Sequence, residues 1–109
     1  MAKKIIPQKV KKEINEYIKI LKDDKLPIKK VILFGSFAKN KQHKWSDIDL
    51  CIISSKFKDA FKALQYLSLK KPFNAKYVIG PIGFSPEDFK DKYSSLICEI
   101  KTTGIEISI

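Results

Sequence analysis

Two aspartates, Asp47 and Asp49, stand at the head of an apolar run, Ser46-Asp47-Ile48-Asp49-Leu50-Cys51-Ile52-Ile53. In a strand, side chains alternate faces, so Ile48, Leu50 and Ile52 point one way and the two acids the other. The carboxylates then lie roughly 6–7 Å apart along the chain. Both can lean toward one hard cation, and Mg²⁺ prefers oxygen ligands together with substrate phosphates. Aspartate is disfavoured in strands, so two on one face call for a reason. Upstream, Val31-Ile32-Leu33-Phe34 stops at Gly35-Ser36. Glycine lets a backbone turn sharply and approach a ligand closely. If a helical turn follows, its free N–H groups and the Ser36 hydroxyl converge on one point, a natural seat for phosphate. Each feature alone is ordinary, since Asp-x-Asp can be a solvated strand end and Gly-Ser a common turn. Their order is more informative. An apolar strand, a Gly-Ser turn, a polar connection and then Asp-x-Asp opening a second strand suit metal-assisted phosphoryl or nucleotidyl transfer.

The elements that must position these residues can be read around them. Val10, Ile14, Tyr17, Ile18 and Leu21 recur at helical spacing, with Pro7 at the first position, so residues 7–22 read as an amphipathic helix. Pro27 ends it, and residues 28–34 form the first strand. The acids open the second, which must neighbour the first if Ser36 and Asp47 are to meet. Ser54-Ser55 can cap a predicted helix over about residues 56–69, with Phe57, Phe61, Leu64 and Leu67 (or Tyr66) as its apolar stripe. Residues 74–84 read as a third strand, where Gly80-Pro81 argues for an edge, a bulge or an early end. Ser85-Pro86-Glu87-Asp88 reads as a helix start. Residues 96–101 look like a further short helix stopped by Gly104, and Ile105-Glu106-Ile107 alternates like a short fourth strand. The expected architecture is α/β (α+β): a small mixed sheet of three or four strands flanked by helices.

Length and composition bound the possibilities. The 109 residues make one domain, 1–109, with 44% hydrophobic and 31% charged residues, an ordinary globular balance. No stretch approaches the ~20 apolar residues of a membrane span. The N-terminus lacks the apolar core of a secretion signal, so the expected location is cytoplasmic. Cys51 and Cys98 show no metal or redox spacing and read as reduced thiols in or near the core, Cys51 sharing the aspartates' face. His43, in the polar loop, reads as solvated. The net charge of +10 raises the question of nucleic acid. Yet all 22 basic residues are lysines, scattered through every segment. Arginine, the residue suited to bidentate phosphate and base recognition, is absent. The charge fits attraction of nucleoside triphosphates better than a dedicated nucleic-acid surface.

Phe34-Gly35-Ser36-Phe37-Ala38-Lys39 followed by Ser46-Asp47-Ile48-Asp49-Leu50 resembles the signature of the DNA polymerase beta-like nucleotidyltransferase superfamily, and within it the minimal nucleotidyltransferases. The resemblance implies a nucleotidyltransferase fold and transfer of a nucleoside monophosphate from an NTP, with ATP as the expected donor, to a hydroxyl. It implies nucleotide binding by Gly35, Ser36, Lys39 and Ser46. It also implies Mg²⁺ or Mn²⁺ binding, and hence catalysis, by Asp47 and Asp49. Lys39-Asn40 stands where relatives commonly have Arg-Gly, a change that keeps the charge. Relatives bring a third carboxylate from the next strand, and the match places that position at Gly80; Glu87 and Asp88 are the nearest acids in sequence. Minimal nucleotidyltransferases also resemble antitoxin halves of two-gene toxin–antitoxin pairs. That makes the alternative a catalytically weakened binding module holding a small helical HEPN-type partner. The edge strand and Trp45 offer surface for such a partner or for a second copy of the chain.

Overall fold

The computed structural model describes residues 6–39, 47–72 and 77–109. Helix α1 spans Gln8–Asp23 and buries Val10, Glu13, Ile14, Tyr17, Ile18 and Leu21. Pro7 is its N-cap rather than its first residue and gives no side-chain cap bond. Packing therefore holds this helix, since each buried apolar side chain contributes about 1.5–3 kcal/mol, more than a cap would. At its other end Lys25 takes a left-handed φ of 64°. Lys25 N–H donates to the Lys22 carbonyl at 2.9 Å and Leu26 N–H to the Leu21 carbonyl at 3.1 Å, a Schellman closure.

Strand β1 is Lys30–Phe34 and β2 is Ile48–Ile53, and they pair antiparallel with Leu33 opposite Leu50 and Phe34 opposite Asp49. The neighbourhood of the first two strands, required for the site to close, is thus present. Strand β3, Ile79–Phe84, runs parallel to β2, and β4, Ile105–Ile107, runs antiparallel to β1. The result is a mixed sheet in the order β3-β2-β1-β4. Pro81 lies in an edge strand, where its missing N–H leaves no ladder bond unmade.

Alternation divides the sheet into two faces. Val31, Leu33, Ile48, Leu50 and Ile52 join the α1 residues and Leu67 in the larger core. Ile32, Phe34, Cys51 and Ile53 join Ile100, with Ile82, Phe84 and Phe89 packed around them, in a smaller one. Helix α2, Ala60–Leu69, covers the first face, and helix α3, Ser95–Thr103, covers the second.

The second helix departs from its expected form. Its N-cap is Asp59, whose side chain accepts from Lys62 N–H, and not Ser54-Ser55. Its buried positions are Ala63 and Leu67, while Phe61 is 69% exposed and Leu64 42% exposed. The reason is the close approach of α2 to β3. A Cβ on Gly83 would meet Phe57 at 2.6 Å and Ala63 at 2.8 Å, so the small face of the helix must turn inward. Phe57 is buried from the preceding loop, not from the helix.

The Ser85 start yields one 3₁₀ turn, Asp88–Lys90, with the Ser85 hydroxyl accepting from Asp88 N–H at 3.0 Å. The third strand begins at Ile79 rather than at 74; residues 73–76 lie outside those described. Cys51 is buried as expected, but Cys98, on α3, is exposed rather than near the core. No helix among the described residues is long and apolar enough to cross a membrane.

Candidate functional site

The C-terminal end of β1 and the N-terminal end of β2 meet because the strands pair antiparallel, and there the motif residues gather. Gly35 follows β1 directly with φ +74°. A Cβ built on it would lie 2.1 Å from Asp49 Oδ2, so only glycine fits between the turn and that carboxylate. From Gly35 the chain makes a turn in which Lys39 N–H donates to the Gly35 carbonyl at 3.1 Å. Phe37 and Ala38 are buried beneath the turn, and Phe37 packs edge-on against Tyr77 with ring centroids 6.1 Å apart. Ser36 is half-buried in it.

Asp49 is half-buried on the α3 side of the sheet, the face that also carries Cys51. Asp47 is exposed immediately before the strand. Burial, and then the negative charge of Asp47, raise the Asp49 carboxyl above its ordinary range. Two carboxylates close enough to repel, one of them partly desolvated, form a site that favours a cation. The donor set is all oxygen, which suits a hard divalent ion such as Mg²⁺ or Mn²⁺, and the two aspartates are the residues that could hold it. Among the described residues no cluster of three or more His, Cys, Asp or Glu side chains is placed to bind a metal.

Across the parallel ladder Asp49 faces Gly80, and a Cβ on Gly80 would be 3.2 Å from Asp49 Oδ1. Gly80 therefore lies beside the carboxylate, on the same face. Glu87 and Asp88 belong elsewhere. They follow Phe84, which pairs with Ile53 at the other end of the sheet, about 13–14 Å along the strand from Asp49. Glu87 pairs with Lys90 at 3.9 Å.

The resemblance turns Lys39 toward phosphates, whereas its ammonium pairs with Glu99 of α3 at 2.6 Å. Glu99 carries no motif signal, since it reaches the turn only when α3 packs on the sheet. Ser46, with His43, Lys44 and Trp45, falls outside the described residues.

Comparison with known proteins gives one line of support from solved structures and another from sequence. A toxin–antitoxin structure with AMP-PNP is 25% identical, with a TM-score of 0.61 over 84% of this chain and 69% of that one. A double Asp-to-Glu mutant of the toxin–antitoxin pair MntA–HpeT is 22% identical, with a TM-score of 0.59 over the same shares of the two chains. A Tyr-to-Ala mutant of that pair is 23% identical, with a TM-score of 0.60 over 87% of this chain and 71% of that one. The last two likenesses speak for the fold alone. No curated protein matches the sequence. The nucleotidyltransferase domain family matches residues 14–103, which take in the Gly-Ser turn, both aspartates and the first three strands, and the chain belongs to that family.

Proposed function

We propose that residues 1–109 form one domain that binds a nucleoside triphosphate, with ATP as the expected donor, and transfers its nucleoside monophosphate to a hydroxyl on an acceptor such as a partner protein. The observation that carries this reading is the contact of Gly35, in its left-handed conformation, with the Asp49 carboxylate. A glycine turn lying close against an acidic side chain supports a seat for phosphate beside a bound cation. The Gly35 backbone and Ser36 would hold the outer phosphates, with Ser46, outside the described residues, as a further expected contact. Asp47 and Asp49 would hold Mg²⁺ or Mn²⁺, which supplies neutralisation of the charge on the triphosphate. Lys39 would exchange Glu99 for a phosphate oxygen. The acceptor hydroxyl would attack the α-phosphorus and lose its proton to solvent, a P–O bond forming to the acceptor as the α–β bond breaks and pyrophosphate leaves.

Gly80 supports a second reading. Beside Asp49, at the position matched to the family's third carboxylate, this chain has no side chain to activate the hydroxyl. General-base assistance contributes about 10²–10⁴-fold in rate. A chain lacking it can bind nucleotide yet transfer slowly, and so act as a binding module. The similarity to toxin–antitoxin structures supports a partner protein for that reading, and the family resemblance suggests a small helical HEPN-type protein as its class.

Titration calorimetry with AMP-PNP separates the readings from their failure. The metal-dependent part of the binding, the excess with Mg²⁺ or Mn²⁺ over that in EDTA, is expected to vanish in Asp47→Asn/Asp49→Asn. An unchanged metal-dependent part in that double variant would overturn the site. If pyrophosphate release is slow in the unaltered chain and rises in a folded Gly80→Glu variant, the missing acid is the limitation. Fast release by the unaltered chain would refute the second reading.

A further inference from the structure

A cavity of about 440 Å³ opens at the opposite end of the sheet, between the turn closing α1, the loop after β2 and helix α2. The antiparallel register sets the separation: Phe34 opposite Asp49 lies at one end, and Lys30 opposite Ile53 at the other, about 13–14 Å away along β2. Lys25, Lys56, Lys58 and Lys62 line this cavity together with one acid, Asp24, and the Tyr66 ring.

Most of the positive charge there has no ion-pair partner among the described residues. Asp24 accepts a hydrogen bond from the Tyr66 hydroxyl and pairs with Lys70 at 3.3 Å, so its charge is already engaged. The four cavity lysines form no ion pair with a carboxylate among the described residues. The lysine-lined groove over α3 differs. There Lys30 pairs with Glu106, Lys90 with Glu87, and Lys101 lies 4.9 Å from the Phe89 ring centroid, leaving Lys29 alone without such a partner among the described residues. Lysines are common throughout this chain, so their number alone says little. What sets this cavity apart is that its acid is spent while its cations are not.

We propose that this cavity is a second anion site, separate from the aspartates, that takes a compact phosphate chain: an inorganic polyphosphate or the triphosphate of a nucleotide. Ammonium groups bind phosphate as point charges without demanding bidentate geometry. The volume falls in the range of small-molecule sites, about 300–1,000 Å³. A concave wall with an excess of positive charge also focuses the field on a small anion. This proposal is independent of the nucleotidyltransferase reading, because it uses none of the same residues.

The test is calorimetry with sodium tripolyphosphate in EDTA, where the proposed aspartate site has no metal and holds no nucleotide. One saturable equivalent is expected. Lys56→Gln/Lys58→Gln/Lys62→Gln should weaken binding about ten-fold or more, since removing each ammonium partner of the phosphates costs a factor of a few. Lys9→Gln/Lys11→Gln/Lys12→Gln on α1 changes the net charge equally and should alter it less than about two-fold. Lys25→Gly relieves a left-handed lysine, so it should raise the melting midpoint while weakening tripolyphosphate about three-fold, which separates loss of the site from loss of the fold. ATP binding more tightly than tripolyphosphate would identify the nucleotide as the source, and equal affinity the free polyphosphate. Equal losses in the two triple variants would overturn the proposal. So would an absence of saturation at millimolar tripolyphosphate, or binding of single-stranded RNA that tripolyphosphate does not displace.

Discussion

Replacing Gly35 by alanine tests the geometry of the aspartate site directly. Gly35 holds φ +74°, where an L-residue with a Cβ costs about 1–2 kcal/mol. The new methyl would also sit 2.1 Å from Asp49 Oδ2, so the carboxylate or the turn has to retreat by roughly 1 Å or more. The backbone cost alone lowers the melting midpoint by roughly 5–15 °C in a chain of this size. The displacement of Asp49 should weaken metal-dependent AMP-PNP binding by about ten-fold or more, since an error of 1 Å in a positioned group is costly. Gly80→Ala is the matched control. Its Cβ would lie 3.2 Å from Asp49 Oδ1, a crowding that a few tenths of an ångström relieve, and its φ is not in the left-handed region. That variant should stay within about 0.5 kcal/mol of the parent and keep its affinity. Thermal denaturation and calorimetry on both variants decide the matter. A Gly35→Ala protein with parental stability and affinity would refute the close approach of the turn to Asp49.

Three other outcomes follow from the same structure. Tyr17 donates a buried hydrogen bond of 2.6 Å to the Leu67 carbonyl, tying α1 to α2. That oxygen also accepts from Lys70 N–H at 3.2 Å, so Tyr17→Phe should cost only about 0.5–1.5 kcal/mol in urea denaturation. Burial pushes the Cys51 thiol up to about 12, whereas Cys98 is exposed. At pH 8 only about one Cys51 thiol in 10⁴ would be ionised, so iodoacetamide should modify one cysteine quickly and the second only after denaturation, as read by mass spectrometry. The Tyr66 hydroxyl first, and Lys70 next, hold the Asp24 carboxyl below its ordinary value of 3.8. A lowered folded-state value stabilises above the unfolded one and is lost as pH falls through the folded one. Tyr66→Phe should therefore flatten the loss of stability below about pH 4, and an unchanged acid-unfolding profile would count against that hydrogen bond.

Much of this protein is legible one segment at a time. The two-residue period of Asp47 and Asp49 against Ile48, Leu50 and Ile52 predicts which side of the strand carries the acids. It also places Cys51 with them. The spacing of Val10, Ile14, Tyr17, Ile18 and Leu21 predicts the buried face of α1, and Gly35-Ser36 marks the turn. These are local properties, written by backbone periodicity and by the steric freedom of glycine. What the tertiary structure decided lies between segments. The parallel register of β3 sets Gly80, rather than Glu87 or Asp88, beside Asp49. The close approach at Gly83 rotates α2 so that Ala63 faces inward and Phe61 outward. The packing of α3 delivers Glu99 to Lys39, and the closure of α1 brings Lys25 to the same cavity as Lys56, Lys58 and Lys62. Periodicity reports which residues share a face. Which faces meet, and in what register, depends on how side chains of particular volumes fill the space between elements far apart in the chain.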